Sequence, residues 1–146
     1  MPVNSKIVII RPYKPSDYLD VKRNLREGNM FYPDIYAEDK MRSKIKNDPE
    51  SILVAEVDGK VVGNIYLVTD WGPLLFGLAV RKSHRNKGVG KKLTQTAAKT
   101  IRARGYKEIN LLVRQNKLDL QDMYKRWGFK KSNVYRWMYR ELQEKE

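Results

Sequence analysis

Leu74 to Val80 (LLFGLAV) is an apolar, two-sided run. A short basic loop follows it, then a stretch with Val89, Leu93, Ala97 and Ile101 at spacing four, and then a second β-rich run, Lys107 to Val113. A run that is apolar on both faces is a central strand, and a spacing of four is one stripe of a helix. Strand, helix, strand in that order make the two strands parallel neighbours joined by a crossover helix. Gly105 stops the helix after Arg104.

The flanking segments add antiparallel strands. Ser51 to Val57 (SILVAEV) and Lys60 to Thr69 (KVVGNIYLVT) are joined around Asp58-Gly59, a pair that tolerates the positive φ angles of a type I′ hairpin turn. Trp71-Gly72-Pro73 turns the chain into the central strand. Upstream, Lys6 to Arg11 (KIVIIR) is a short strand stopped by Pro12. Ser16 is placed to cap a helix carrying Tyr18, Val21 and Leu25 and closed by Gly28, and a weaker helix is expected over Tyr36 to Lys46. Downstream, Leu120, Met123, Tyr124 and Trp127 form the stripe of a last helix ended by Gly128, and Phe129 to Arg140 reads as extended and aromatic-rich. The expectation is an α/β domain of the α+β type, with a mixed, mostly antiparallel central sheet flanked by helices. At 146 residues it is a single domain spanning 1–146.

Composition removes several chemistries. Cys is absent and His84 is the sole histidine, which argues against thiolate nucleophiles, disulfides and zinc sites. No apolar run approaches the roughly 20 residues of a membrane span, and Met1 to Arg11 does not read as a secretory signal, so a cytoplasmic protein is expected. The net charge, +13, attracts anions and repels a polycationic partner.

The informative stretch is Arg85-Asn86-Lys87-Gly88-Val89-Gly90-Lys91, between the buried strand and the long helix. A helix start offers backbone N–H groups without intrahelical partners and the positive end of the dipole. Two glycines let the backbone approach a bulky anion, and the cations add charge, which makes a pyrophosphate cradle. It is neither a P-loop nor a dinucleotide fingerprint, because the required spacings are absent. As a bare Gly-x-Gly it also fits a plain strand-to-helix turn.

Leu78-Ala79-Val80 followed by Arg-x-x-Gly-x-Gly resembles the acetyl-CoA motif of the GCN5-related N-acetyltransferases (GNAT). Asn116 and the segment Tyr124-Lys125-Arg126-Trp127-Gly128-Phe129 resemble that family's second signature, a helix ending in Tyr-x-x-x-Gly-Phe. The resemblance implies the GNAT fold, with the two central strands splayed and a pantetheine arm laid along the first. It implies acetyl-CoA held by the backbone of Leu78, Ala79 and Val80, by Arg85, Asn86, Lys87, Gly88, Val89, Gly90 and Lys91, and by Asn116. A nearby backbone N–H would stabilise the developing oxyanion. Tyr124 would protonate the departing thiolate, as a phenol with a pKa of about 10 can; on periodicity alone it is a core tyrosine. The implied reaction is direct transfer of acetyl to a primary amine of a small molecule or a peptide, with no metal.

Two departures stand out. Asn116 lies eight residues before Tyr124, one more than in many relatives, so either the turn holds an extra residue or Asn116 caps the helix. The central strands LLFGLAV and INLLV carry no carboxylate to act as base, and Glu108, at the entry of the second, is expected to lie too far from the thioester, leaving Glu56, Asp70 or a water relay. Gly77 fits a bulge, a close backbone approach or a packing contact. His84 reads as a surface residue whose imidazolium is disfavoured by Arg81, Lys82 and Arg85. Tyr13, Tyr32, Tyr36, Trp71, Tyr135, Trp137 and Tyr139 line an acceptor pocket or belong to the core and sheet. Two rival readings on the same fold are a nucleic-acid-binding module, suggested by charge and interleaved aromatics, and a CoA binder without catalysis. The aromatic C-terminal segment offers an edge for a homodimer.

Overall fold

The computed structural model describes residues 6–144, so residues 1–5 of the N-terminal stretch and residues 145–146 lie outside it. The described residues divide into two compact units, which part between Leu112 and Val113.

The first unit is a five-stranded sheet in the order β1-β2-β3-β4-β5. Strands β1 (Ile9–Pro12), β2 (Ile52–Val57), β3 (Lys60–Val68) and β4 (Leu74–Val80) pair antiparallel in succession. Strand β5 (Asn110–Leu111) pairs parallel with β4, as the crossover demands. The β2–β3 hairpin has the expected two-residue turn: Asp58 (φ 51°) and Gly59 (φ 75°) are both left-handed, and Val57 lies opposite Lys60.

The helices divide between the faces. On one side lie α1 (Tyr18–Glu27), the one-turn α2 (Pro33–Tyr36) and α3 (Glu38–Asn47), whose Val21, Leu25, Tyr36 and Met41 pack with Ile52, Val54, Val61 and Tyr66 of the sheet. On the other lies α4 (Val89–Ala103), with Val89, Leu93, Ala97 and Ile101 buried, the stripe read from the sequence. It sits close on β3 at Gly63, where an added Cβ would come within 3.0 Å of Leu93 Cδ1 and 3.3 Å of the Ala79 carbonyl oxygen.

Several local expectations change. Ser16 is not a helix cap: it lies exposed within a 3-10 turn, Pro15–Asp17, closed by the Lys14 N–H donating to the Asp17 carboxylate at 2.9 Å. Asp17 is buried and takes two hydrogen bonds from the Arg11 guanidinium (2.8 and 2.9 Å), and that pairing fixes the turn. The left-handed residue after α1 is Asn29 (φ 55°) rather than Gly28. The weak second helix divides at Ala37, whose extended backbone (ψ 151°) ends α2 and begins α3. Only two residues of Lys107 to Val113 join the sheet, because the pairing with β4 stops just before β4 bulges at Gly77.

The second unit holds α5 (Leu118–Arg126). Phe129 N–H donates to the Tyr124 carbonyl and Gly128 N–H to that of Lys125, each at 3.0 Å, with Gly128 left-handed (φ 95°). This is a Schellman cap, completed by Tyr124 and Phe129 ring contact at 5.5 Å. The Tyr-x-x-x-Gly-Phe spacing is therefore a helix-stop geometry in its own right. Residues 130–140 form neither helix nor strand, contrary to the extended reading. Alternating aromatics supply a strand's side chains without fixing a ladder for its backbone.

Candidate active site

The site begins with the free edge of β4. Its ladder to β5 covers Leu74 and Leu75 only. Across the ladder to β3, Asn64 pairs with Ala79 and Tyr66 with Phe76, so Gly77 and Leu78 together face Ile65. That is a β-bulge, and Gly77 adopts φ +61° within it. A Cβ there would meet the Tyr36 hydroxyl oxygen at 2.9 Å, so the bulge, the close approach and the packing contact coincide at one glycine. The Arg81 N–H donates to Val62 O at 2.7 Å while Gly63 lies opposite Val80. That makes Gly63–Val80 a non-hydrogen-bonded pair and turns the N–H and C=O of Val80 toward the free edge. The Arg85 Nε already donates to that Val80 carbonyl at 2.9 Å.

Past the strand, the 3-10 turn Lys82–His84 leads into the basic loop. Asn86 (φ 61°) and Gly88 (φ 83°) are both left-handed and turn the chain into α4, with Gly88 as its N-cap. The first intrahelical bond runs from Lys92 N–H to Gly88 O at 3.0 Å, so the amides of Val89, Gly90 and Lys91 have no carbonyl within the helix to bond. No acidic residue stands in the first turn, and space is open where a Gly88 Cβ would project. Val89 is buried and anchors the turn, Gly90 O accepts from Thr94 Oγ1 at 2.9 Å, and Lys87 Nζ donates to Ser83 O at 3.3 Å. Among the described residues these features leave an electropositive helix start, open at Gly88, that follows directly on the β4 edge.

The remaining candidates separate. Asn116 does not cap α5: it is exposed within a turn closed by Lys117 N–H donating to Arg114 O, and Gln121 Nε2 bonds the Arg114 and Gln115 carbonyls. Tyr124 is half-buried on α5, its ring edge-on to Trp127 and Phe129, and burial pushes its hydroxyl above the ordinary tyrosine range. Glu56 stands on β2 and accepts from Arg11 Nε at 3.3 Å, while Asp70 and Glu108 are exposed. Burial first, then the charges of Lys87, Lys6 and Arg81, lower the pKa of His84, whose Nδ1 lies 2.8 Å from Ser83 Oγ. Of the seven aromatics, Tyr13 and Tyr36 are buried in the core beside Tyr66, with burial raising the hydroxyls of Tyr13 and Tyr36 to about 12. Tyr32, Trp71, Tyr135, Trp137 and Tyr139 are exposed.

The sequence reading missed a buried polar chain behind the bulge. Asn64 Nδ2 donates to the Gly77 carbonyl at 2.9 Å, and Asn24 Nδ2 donates to Asn64 Oδ1 at 3.2 Å. Arg81 Nε donates to Asn24 Oδ1 at 3.2 Å, and its Nη2 bonds Asp20 at 3.1 Å. The signal was present as an asparagine inside an otherwise apolar strand and another beside Leu25 on the buried face of α1.

The acetyltransferase (GNAT) family model matches residues 21–129, most of the chain. The chain belongs to the GNAT family. An acetyltransferase from Sodalis glossinidius is 30% identical over 118 residues, covering 80% of this chain and 83% of its own. An N-alpha-acetyltransferase from Sulfurisphaera tokodaii is 29% identical, covering 82% and 80%. The crystal structure of Ard1 from Thermoplasma volcanium superposes with a TM-score of 0.75 at 26% identity, covering 86% of this chain and 84% of that one. As a GNAT member the chain is an N-acetyltransferase, and its open mixed sheet is the fold of that family. Among the described residues no helix is long and apolar enough to cross a membrane, and no cluster of His, Cys, Asp and Glu suits a metal ion.

Proposed function

We propose that this GNAT enzyme binds acetyl-CoA along β4 and the start of α4, and transfers the acetyl group directly to the α-amine of a peptide or protein N-terminus. The observation that carries the reading is the continuity of two backbone surfaces: the β4 edge after Leu75, which no strand among the described residues pairs and where Arg85 Nε takes the Val80 carbonyl, and the amides that open α4. The donor set suits such a ligand: a strand edge takes the amides of an extended arm, and a glycine-opened helix start takes a pyrophosphate. Acetyl-CoA supplies an acyl group already activated as a thioester. Leu78, Ala79 and Val80 would align the arm. Asn86, Lys87, Gly88, Val89, Gly90 and Lys91 would hold the phosphates, and Arg85 would brace the Val80 carbonyl at the junction. Tyr124 enters through the motif match, as the proton donor to the departing thiolate.

The choice of acceptor follows from charge and basicity. A net charge of +13 disfavours a lysine-rich segment and favours an N-terminus with neutral or acidic neighbours. An α-amine has a pKa of about 8 against about 10.4 for lysine, so a useful fraction is already neutral near physiological pH. It therefore asks less of a base, in keeping with β4 (LLFGLAV) and β5 (NL) lacking any carboxylate. The name of the 29%-identical Sulfurisphaera relative supports the same acceptor class.

The test has two arms. Calorimetric titration of the purified chain is expected to show acetyl-CoA binding more tightly than ADP. Acetyl transfer is then measured to a short acidic peptide with a free N-terminus, and to the same peptide with a blocked N-terminus and one added lysine. Transfer to the first alone supports the reading. Transfer to the lysine peptide alone overturns the acceptor, and equal binding of acetyl-CoA and ADP overturns the cradle.

A further inference from the structure

We infer that Asn64, held by Asn24 and Arg81, is a positioning residue that fixes the β4 edge along which the acyl arm lies. The inference rests on the acetyl-CoA reading above. In a regular ladder the carbonyl of a residue at the Gly77 position would bond across the sheet. Here the bulge turns it out of the ladder, and the Asn64 side-chain amide takes it instead at 2.9 Å. Asn64 and Asn24 are fully buried at 0% exposure, in a layer otherwise built from Val21, Leu25, Ile52 and Val54. Burying two amides there carries a desolvation cost that apolar side chains of the same shape would avoid. Their placement makes sense through what they hold.

They hold both ends of one short segment. At its start, Asn64 fixes the Gly77 carbonyl. At its end, the Arg81 side chain reaches back to Asn24 (3.2 Å), to Asp20 (3.1 Å) and to the Val61 carbonyl (3.2 Å), while the Arg81 N–H pairs with Val62. Asn24 closes the link by donating to both Asn64 Oδ1 and the Val61 carbonyl. A single hydrogen-bonded network thus clamps Gly77 and Arg81, and the backbone between them is the segment whose outer edge is free. Because the peptide is planar and trans, fixing the Gly77 carbonyl also fixes the direction of the Leu78 N–H, opposite to Asn64. Asn64 would touch neither the arm nor the amine; it acts through the backbone.

The test compares Asn64→Ala with the unaltered full chain, using two ligands. ADP reaches only the phosphate cradle, whereas acetyl-CoA also lies along the strand. Asn64→Ala is expected to bind ADP as the parent does, to lose about tenfold in acetyl-CoA affinity and to fall by a similar factor in kcat. Equal weakening of both ligands would mean a general loss of structure and would overturn the inference, as would unchanged acetyl-CoA binding and turnover. If Asn64→Ala does not fold, Asn24→Asp decides by the same comparison. It keeps an acceptor for Arg81 and removes the donor to Asn64, and a selective loss of acetyl-CoA affinity of a few-fold is expected. A parent chain that itself fails to prefer acetyl-CoA over ADP refutes the cofactor reading instead, so the two failures are separable.

Discussion

Tyr124 shows how much one side chain can be asked to do. Its carbonyl closes the Schellman cap of α5 and its ring packs edge-on against Trp127 and Phe129, so backbone and ring serve structure. The hydroxyl is the part left for chemistry. Burial raises its pKa, so it stays protonated, and able to donate, through neutral pH and up to its ordinary value near 10. Tyr124→Phe retains the cap and the ring contacts. If Tyr124 is the proton donor, the variant should keep its melting temperature and its KM for acetyl-CoA while kcat drops by about 10²-fold. The parent's alkaline limb should lie higher than an unburied tyrosine would place it and vanish from the variant's profile. An unchanged kcat would remove Tyr124 from the reaction and leave the Tyr-x-x-x-Gly-Phe spacing to the helix stop alone.

Elements whose identity depends on local pattern were legible before the structure: the type I′ hairpin at Asp58-Gly59, the spacing-four stripe of α4 and the parallel crossover. The loop Arg85 to Lys91 was legible as a helix start because glycine and cation spacing is a local signal. What escaped depends on which polar groups the fold brings together, which residue type and spacing do not set. Ser16 looked like a cap, but Asp17 closes the turn because Arg11, on the neighbouring strand, pairs with it. Asn64 looked like a blemish in an apolar strand until the Gly77 carbonyl turned toward it. The Arg11–Asp17 tie between β1 and the following turn makes its own prediction. Burial alone would raise the pKa of Asp17, but hydrogen bonds from Arg11 and the Lys14 N–H outweigh it and hold the carboxyl below its ordinary value. A depressed folded pKa contributes stability above the unfolded pKa of about 4, and that contribution is lost as pH falls through the folded value. Asp17→Asn should therefore cost about 3 kcal/mol at pH 7 and progressively less as pH falls below about 4. Urea unfolding of both proteins at pH 7 and pH 3 measures it; a constant difference would assign the loss to packing instead.

At the scale of the whole molecule the question is whether residues 1–146 fold as one domain. The chain resolves into two compact units that meet in sequence between Leu112 and Val113, yet the family match runs through that junction from residue 21 to residue 129. The second unit contains one helix, α5, and the described residues give it no sheet of its own. A nine-residue helix is too short to hold its shape unaided in water, where isolated helices below about 12–15 residues are marginal. The sheet of the first unit, by contrast, carries a two-sided core. The single-domain proposal accordingly predicts one cooperative thermal transition for the full chain, with calorimetric and van't Hoff enthalpies in agreement. Acetyl-CoA should raise that transition as a whole, because a ligand that binds only the native state stabilises everything that unfolds with it. Two resolved transitions, with only one of them moved by acetyl-CoA, would show that the cofactor surface on β4 and α4 folds independently of the segment that carries Tyr124.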